Sequence, residues 1–208
     1  MPWPEAVTLR GQHARLEPLS HQHRDGLVEA VKDGELWKLW YTSVPTPEGV
    51  TKEINRRLGL QDSGSMLPFT VFDADGKICG MTTYMNIDAA NRRVEIGSTW
   101  YAKSAQRGAL NTQCKLLLLG HAFETLNCIA VEFRTHFFNH QSRRAIERLG
   151  AKLDGILRSH QIVPNGTLRD TAVYSIVAAE WPTVKAHLNY QLNDKPRPER
   201  DEHAQTKK

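Results

Sequence analysis

The run Trp100-Tyr101-Ala102-Lys103-Ser104-Ala105-Gln106-Arg107-Gly108-Ala109-Leu110-Asn111-Thr112 joins the end of one apolar strand to the start of a helix. Arg93 to Tyr101 reads as the strand. Leu110 to Leu126 reads as the helix, with apolar residues at 110, 114, 117, 118, 122 and 126 on one face. The small residues between them let backbone N–H groups approach a ligand closely. The helix start adds about half a positive charge at the same place. The loop is therefore a candidate anion cradle that needs no lysine, although a plain helix start would look the same.

Working outward, Cys128 to Phe138 has the density of a buried strand, which completes a strand–helix–strand unit. Upstream lies a meander: Leu67 to Phe72, a turn at Asp73-Ala74-Asp75-Gly76, and Lys77 to Ile87. Val7 to Leu19 alternates around Arg10-Gly11-Gln12 and predicts two short strands. Ser20 caps a helix to about Lys32, and Thr46-Pro47-Glu48 opens a second through Ile54 and Leu58. Downstream come a short helix from Gln141 to Leu149 closed by Gly150, a hairpin of Gly155–Val163 and Thr167–Val177 around Pro164-Asn165-Gly166, and a last helix from Glu180-Trp181-Pro182 to near Leu192. The pattern predicts one mixed α/β domain over 1–192, a largely antiparallel sheet flanked by helices. It excludes a sandwich or a helical bundle. The charged stretch 193–208 is expected to be a disordered tail.

A chain of 208 residues, 40% hydrophobic and 24% charged, is sized for one globular core. No apolar run approaches the ~20 residues of a membrane span. The start of the chain shows no signal-peptide pattern. Cys79, Cys114 and Cys128 lie among apolar residues without a CxxC pair, as buried reduced thiols would, so a cytoplasmic setting is expected. The net charge of +4 is dispersed, so a nucleic-acid partner is not expected. A small polyanion suits the balance equally well.

Several motifs in register resemble the ribosomal-protein N-terminal acetyltransferase branch of the GNAT superfamily. They are Leu9 to Leu19, Trp100 to Phe123, Asn139-His140-Gln141-Ser142, Leu149-Gly150, Asp154-Gly155-Ile156-Leu157-Arg158, Asp170 to Ile176 and Glu180-Trp181. The resemblance covers roughly residues 7 to 190. It implies the GNAT fold, whose sheet splays into a V at the cofactor site. It also implies acetyl-CoA as co-substrate, an amine acceptor and no metal; association into a homodimer is left open.

Carried onto this chain, the family's pyrophosphate loop starts at Gln106 and runs through Arg107, Gly108, Ala109, Leu110, Asn111 and Thr112. Ala109 and Asn111 stand where the family pattern prefers small glycines. The resemblance also implies that Ser98, Thr99, Trp100 and Tyr101 offer main-chain groups to the cofactor arm. Asn139 would bind that arm, or cap the following helix, or both. Arg143 either reaches the cofactor phosphates or belongs to a solvated helix face.

The family's frequent tyrosine acid is absent, because Ile146 occupies its place; Ser142 is the implied substitute. Candidates for the base are Glu95 and His160, the latter beside Gln161. Trp37, Trp40 and Tyr41 either line an acceptor pocket or belong to the core. His136 and His140 straddle a strand end, a poor arrangement for a metal. Two other readings stay open: a catalytically silent CoA-binding module, and, on charge alone, a nucleic-acid binder.

Overall fold

A computed structural model describes residues 3–163 and 165–193. The tail expected beyond Asn193, and Pro164 of the expected turn, lie outside the described residues. The chain runs β1 (Leu9–Arg10), β2 (Ala14–Pro18), α1 (Arg24–Lys32), α2 (Val50–Asp62), β3 (Met66–Asp73), β4 (Ile78–Asp88) and β5 (Arg93–Tyr101). It continues with α3 (Leu110–Gly120), β6 (Ala130–His136), α4 (His140–Glu147), β7 (Lys152–Ile162), β8 (Leu168–Val177) and α5 (Trp181–Asn193).

Local chemistry sets most of these boundaries. The Asp73 carboxylate accepts the N–H groups of Asp75 and Lys77, and Gly76 takes a φ of 80°, which closes the β3–β4 turn. Helix α2 begins at Val50, after a hydrogen-bonded turn in which Gly49 N–H donates to Thr46, rather than at the proline. Helix α3 passes into a π-helical turn, His121–Thr125, so the expected helix to Leu126 is present with a change of pitch.

The eight strands form one sheet in the order β1-β2-β3-β4-β5-β6-β8-β7. The hairpin docks through its second strand, and its first strand becomes the edge. The reason is apolar content: Ala172, Tyr174 and Ile176 of β8 are fully buried, whereas β7 is exposed along almost its whole length. One face of the sheet packs Val94, Ile96, Val131 and Phe133 against Leu110, Cys114 and Leu118 of α3. The other face packs Met81 and Trp100 against Leu27 and Val31 of α1 and Val50 and Ile54 of α2. All three cysteines are buried and unpaired, and burial pushes the Cys79 and Cys114 thiols up to about 12.

Strands β5 and β6 pair in parallel, while their neighbours pair antiparallel. The parallel ladder has three steps: Arg93 with Ala130, Val94 with Val131, and Glu95 with Glu132. From Ile96 onward β5 leaves β6 and the sheet opens. On its other side β5 stays on β4, with a register shift that makes Ser98 and Thr99 a bulge; Ser98 has a φ of 48°. Gly80 permits this contact, since a Cβ there would lie 2.1 Å from the Trp100 carbonyl oxygen.

Candidate active site

The wedge between β5 and β6 ends at the loop that begins α3. Ala109 occupies the N-cap position without a side-chain cap, and the first turn holds no acidic residue. The backbone N–H groups of Arg107 through Thr112 have no hydrogen-bond partner among the described residues. Six consecutive amides without a partner at a helix start form an arrangement able to receive an anion. Gln106 fixes the approach by donating its side-chain amide to the Tyr101 carbonyl at 2.9 Å. Arg107 takes a φ of 61°, and the space beside Gly108 is open. Ala109 and Asn111 leave this row of amides intact.

Two buried cations hold the bulge. Arg57 donates to Thr83 Oγ1 at 2.6 Å and to the Ser98 carbonyl at 3.1 Å, and pairs with Glu53 at 2.7 Å. From the α3 side Lys115 donates to Thr99 Oγ1 at 3.0 Å and contacts Thr82 Oγ1 at 3.5 Å. It has no carboxylate partner among the described residues, and burial lowers its pKa to about 8. Sequence reasoning missed both cations. Lys115 directly follows a residue of the apolar stripe, and Arg57 lies one residue before Leu58, so each could have been flagged as a charge beside a buried helix face.

At the far end of β6, Asn139 caps α4 by accepting the Ser142 N–H at 3.0 Å, which leaves its Nδ2 for another partner. The Ser142 side chain is half-buried and its hydroxyl has no protein hydrogen bond among the described residues. Arg143 is engaged within the protein. It donates to the Tyr174 hydroxyl at 2.9 Å, and its guanidinium lies 4.8 Å from the Phe137 ring centre. Ile146 is buried.

Glu95 closes the last rung before the sheet opens and is 5% exposed. Burial raises its pKa; a 2.6 Å hydrogen bond from Asn86 Nδ2 and the Arg134 guanidinium at 3.5 Å act against that. Arg134 in turn pairs with Glu132 at 2.9 Å. The same face carries His136, with the Trp40 ring at 5.0 Å, Phe138 at 5.8 Å and Tyr41 at 6.4 Å. Trp37 packs instead against the α1–α2 core. His160 is exposed and contacts Thr171 Oγ1 at 3.1 Å; Thr171 is the register partner of His136. The structure thus brings Trp40 and Tyr41 to the face that carries Glu95 and sets Trp37 apart. Arg134, His136 and Phe138 join that face without having been singled out for it. Among the described residues no group of three or more His, Cys, Asp or Glu could hold a metal ion, and no helix is long and apolar enough to cross a membrane.

A sheet of this order, opened beside an uncapped helix start, defines a mixed-sheet transferase fold of the acetyltransferase type. The family described as acetyltransferase (GNAT) domain matches residues 13–152. The chain belongs to the GNAT acetyltransferase family. A GCN5-related N-acetyltransferase from Brucella melitensis, known from its crystal structure, is 33% identical with a TM-score of 0.82, over 93% of this chain and 88% of that one. The Bacillus subtilis (strain 168) protein named "Putative ribosomal N-acetyltransferase YdaF" is 36% identical over 108 residues. That match spans 51% of this chain and just 57% of the relative's length. Mycobacterium smegmatis RimJ, solved in complex with CoA-disulfide, shares the fold at 21% identity and a TM-score of 0.74, over 91% of this chain and 96% of that one.

Proposed function

We propose that the protein is an N-acetyltransferase that moves the acetyl group of acetyl-CoA directly to a primary amine within one ternary complex. The observation that carries this reading is the row of six unpartnered amides, Arg107 to Thr112, at the end of a strand that has no pairing with β6 beyond Glu95, its Ser98 and Tyr101 carbonyls being held by Arg57 and Gln106. The amides suit a pyrophosphate, and the open edge suits an amide-bearing arm that pairs with it as a further strand. Asn139 Nδ2 supplies a donor beside that arm.

On the α1–α2 face Glu95 takes the proton that the amine must lose before it attacks the thioester carbon. The C–N bond forms as the C–S bond breaks, and the Ser142 hydroxyl protonates the leaving thiolate. His160 is the alternative base, one step further out at Thr171. An acetyl-cysteine intermediate is disfavoured, because all three thiols are buried with raised pKa values. The same reduced thiols support a cytoplasmic setting. Relatives named for ribosomal N-acetylation favour a protein N-terminus as acceptor over a small-molecule amine.

Labelled acetyl-CoA incubated with N-terminal peptides and with alkylamines tests the reading. Product with intersecting lines in a two-substrate analysis supports it; parallel lines with a trapped acetyl-enzyme overturn direct transfer. CoA binding without transfer to any amine identifies a silent binding module instead.

A further inference from the structure

The two oxygens of the Glu95 carboxylate are not equivalent. Oε2 accepts the Asn86 side-chain amide at 2.6 Å and pairs with Arg134 Nε at 3.5 Å. Oε1 accepts no hydrogen bond among the described residues. The side chain is 6% exposed, so water satisfies it little. Buried polar atoms are nearly always paired, and one that is not points to a missing donor.

This bare oxygen has a direction. Glu95 is the last residue of β5 that pairs with β6, and Gly97 lies two residues on, where the sheet has opened. A Cβ at Gly97 would sit 2.9 Å from Oε1 and 2.7 Å from Met85 Sδ. Oε1 therefore leans along β5 over Gly97, into space that a side chain there would fill. Gly97 does not have a positive φ, so clearance and not backbone strain is what the glycine supplies.

The other oxygen is tied to a chain of charges across the last rungs of the ladder. Arg134 Nη2 donates to Glu132 Oε2 at 2.9 Å, and its Nε is shared between that oxygen, at 3.2 Å, and Glu95. Arg93 donates to the second oxygen of Glu132. The guanidinium thus reaches Glu95 already anchored. Arg134 and Glu132 from β6 and Arg169 from β8 are the charges that act on Glu95, and β4 adds the neutral Asn86.

Resting on the acetyltransferase reading with Glu95 as base, we propose that Oε1 is the atom that takes the amine proton and that Arg134 is its positioning residue. Arg134 and Asn86 hold Oε2, and the absent side chain at Gly97 leaves Oε1 facing the opened stretch of β5. An N–H bond of the ammonium breaks, its electron pair stays on nitrogen, and an O–H bond forms at Oε1. Glu132 steers the guanidinium and itself touches no reacting atom.

Charge changes of opposite sign test the positioning. In protein labelled with carbon-13 at the glutamate carboxyls, the Glu95 signal is the one that Glu95→Gln removes. Arg134→Gln should raise its titration midpoint by roughly 1 pH unit, and Glu132→Gln, which removes a negative charge and releases the guanidinium, should lower it. The acid limb of kcat/KM should move the same way in each variant. Its alkaline plateau should fall by less than about 10-fold in Arg134→Gln, as Asn86 still holds Oε2, and the CoA-induced melting shift should stay. A packing role alone would lower the plateau and leave the limb in place. Gly97→Ala should lower kcat by about 10- to 100-fold through displacement of Oε1. In the unaltered protein the Glu95 signal should also shift when ethylamine is added with CoA, a measurement that needs no variant to fold. Midpoints that ignore both charge changes, or move in one direction for both, overturn the positioning role. Parent kcat in Gly97→Ala, or a signal that ignores the amine, overturns Oε1 as the proton acceptor. Midpoints that move while the limb stays put overturn Glu95 as the base, and absence of transfer to every amine overturns the acetyltransferase reading itself.

Discussion

Arg57 and Lys115 grip adjacent residues of one strand from opposite faces of the sheet, the first at the Ser98 carbonyl and the second at the Thr99 hydroxyl. The arginine has a carboxylate beside it in Glu53, and the lysine has none among the described residues. A bulge that bends β5 away from β6 is thus pinned by two desolvated charges.

The lysine should reveal itself in the pH dependence of stability. Its pKa falls from 10.5 to about 8 on folding, so below pH 8 the folded state carries a charge that burial disfavours. As pH rises from 8 towards 10.5 the unfolded chain keeps the proton that the folded one has lost, and stability increases. Lys115→Met removes this penalty, worth up to about 3 kcal/mol. Urea unfolding should show the variant more stable than the parent at pH 7, with the gap closing by pH 10. If the 107–112 amides hold the CoA phosphates, removing a positive charge carried by the same helix should also lower CoA affinity. A gap that widens with pH contradicts the account.

Ala109→Glu separates the folding role of the α3 start from its ligand role. A carboxylate there favours the helix dipole by about 0.3–1 kcal/mol and leaves the unliganded melting temperature equal or slightly higher. The same charge opposes a phosphate at the free amides, so the CoA-induced melting shift should vanish. A shift of unchanged size would remove the 107–112 row from the cofactor site.

Glu95→Gln keeps the shape of the side chain and its contact with Asn86. Since burial raises the Glu95 pKa, the folded carboxylate is disfavoured at neutral pH, and the substitution should cost no stability at pH 7. Activity should drop by about 10²- to 10⁴-fold, the usual worth of a positioned base. If Glu95 is the base, its deprotonated form is the active one, and in the parent the acid limb of the kcat/KM profile should lie above the ordinary carboxylate value. If the variant retains the parent profile, His160→Ala becomes the deciding measurement.

Ser142→Ala leaves the α4 cap intact, because the cap engages the backbone N–H of this residue and not its hydroxyl. Loss of a proton donor to the thiolate should lower kcat about 10- to 1000-fold at saturating acceptor, with CoA affinity nearly unchanged. Wild-type kcat in the variant would take Ser142 out of the reaction.

Much of the frame was legible because its signals are local. The apolar stripe from Leu110, the small-residue loop before it and the Asp73–Gly76 turn each depend on neighbours in sequence. So does the Asn139 cap. The bulge was not legible, since Ser98 adopts a positive φ without being glycine, and the close approach of the Trp100 carbonyl beyond it depends on Gly80, a residue of another strand. Nor could the sequence place Trp40 against His136, residues far apart in the chain that meet through the sheet. Lys115 looked like an ordinary helix lysine because its burial is decided by Thr82 and Thr99 on two strands. The edge position of β7 had a readable cause, the richer apolar content of β8, yet periodicity alone does not rank two strands of a hairpin.

The three-step ladder between β5 and β6 also divides the molecule mechanically. On one side of it lie five strands in unbroken antiparallel contact, and on the other three more. Arg93–Glu95 and Ala130–Glu132 act as the hinge pin between these two leaves, and α3 is the strap that runs across. A molecule lodged in the wedge would bear on both leaves at once, across a seam only three residue pairs long.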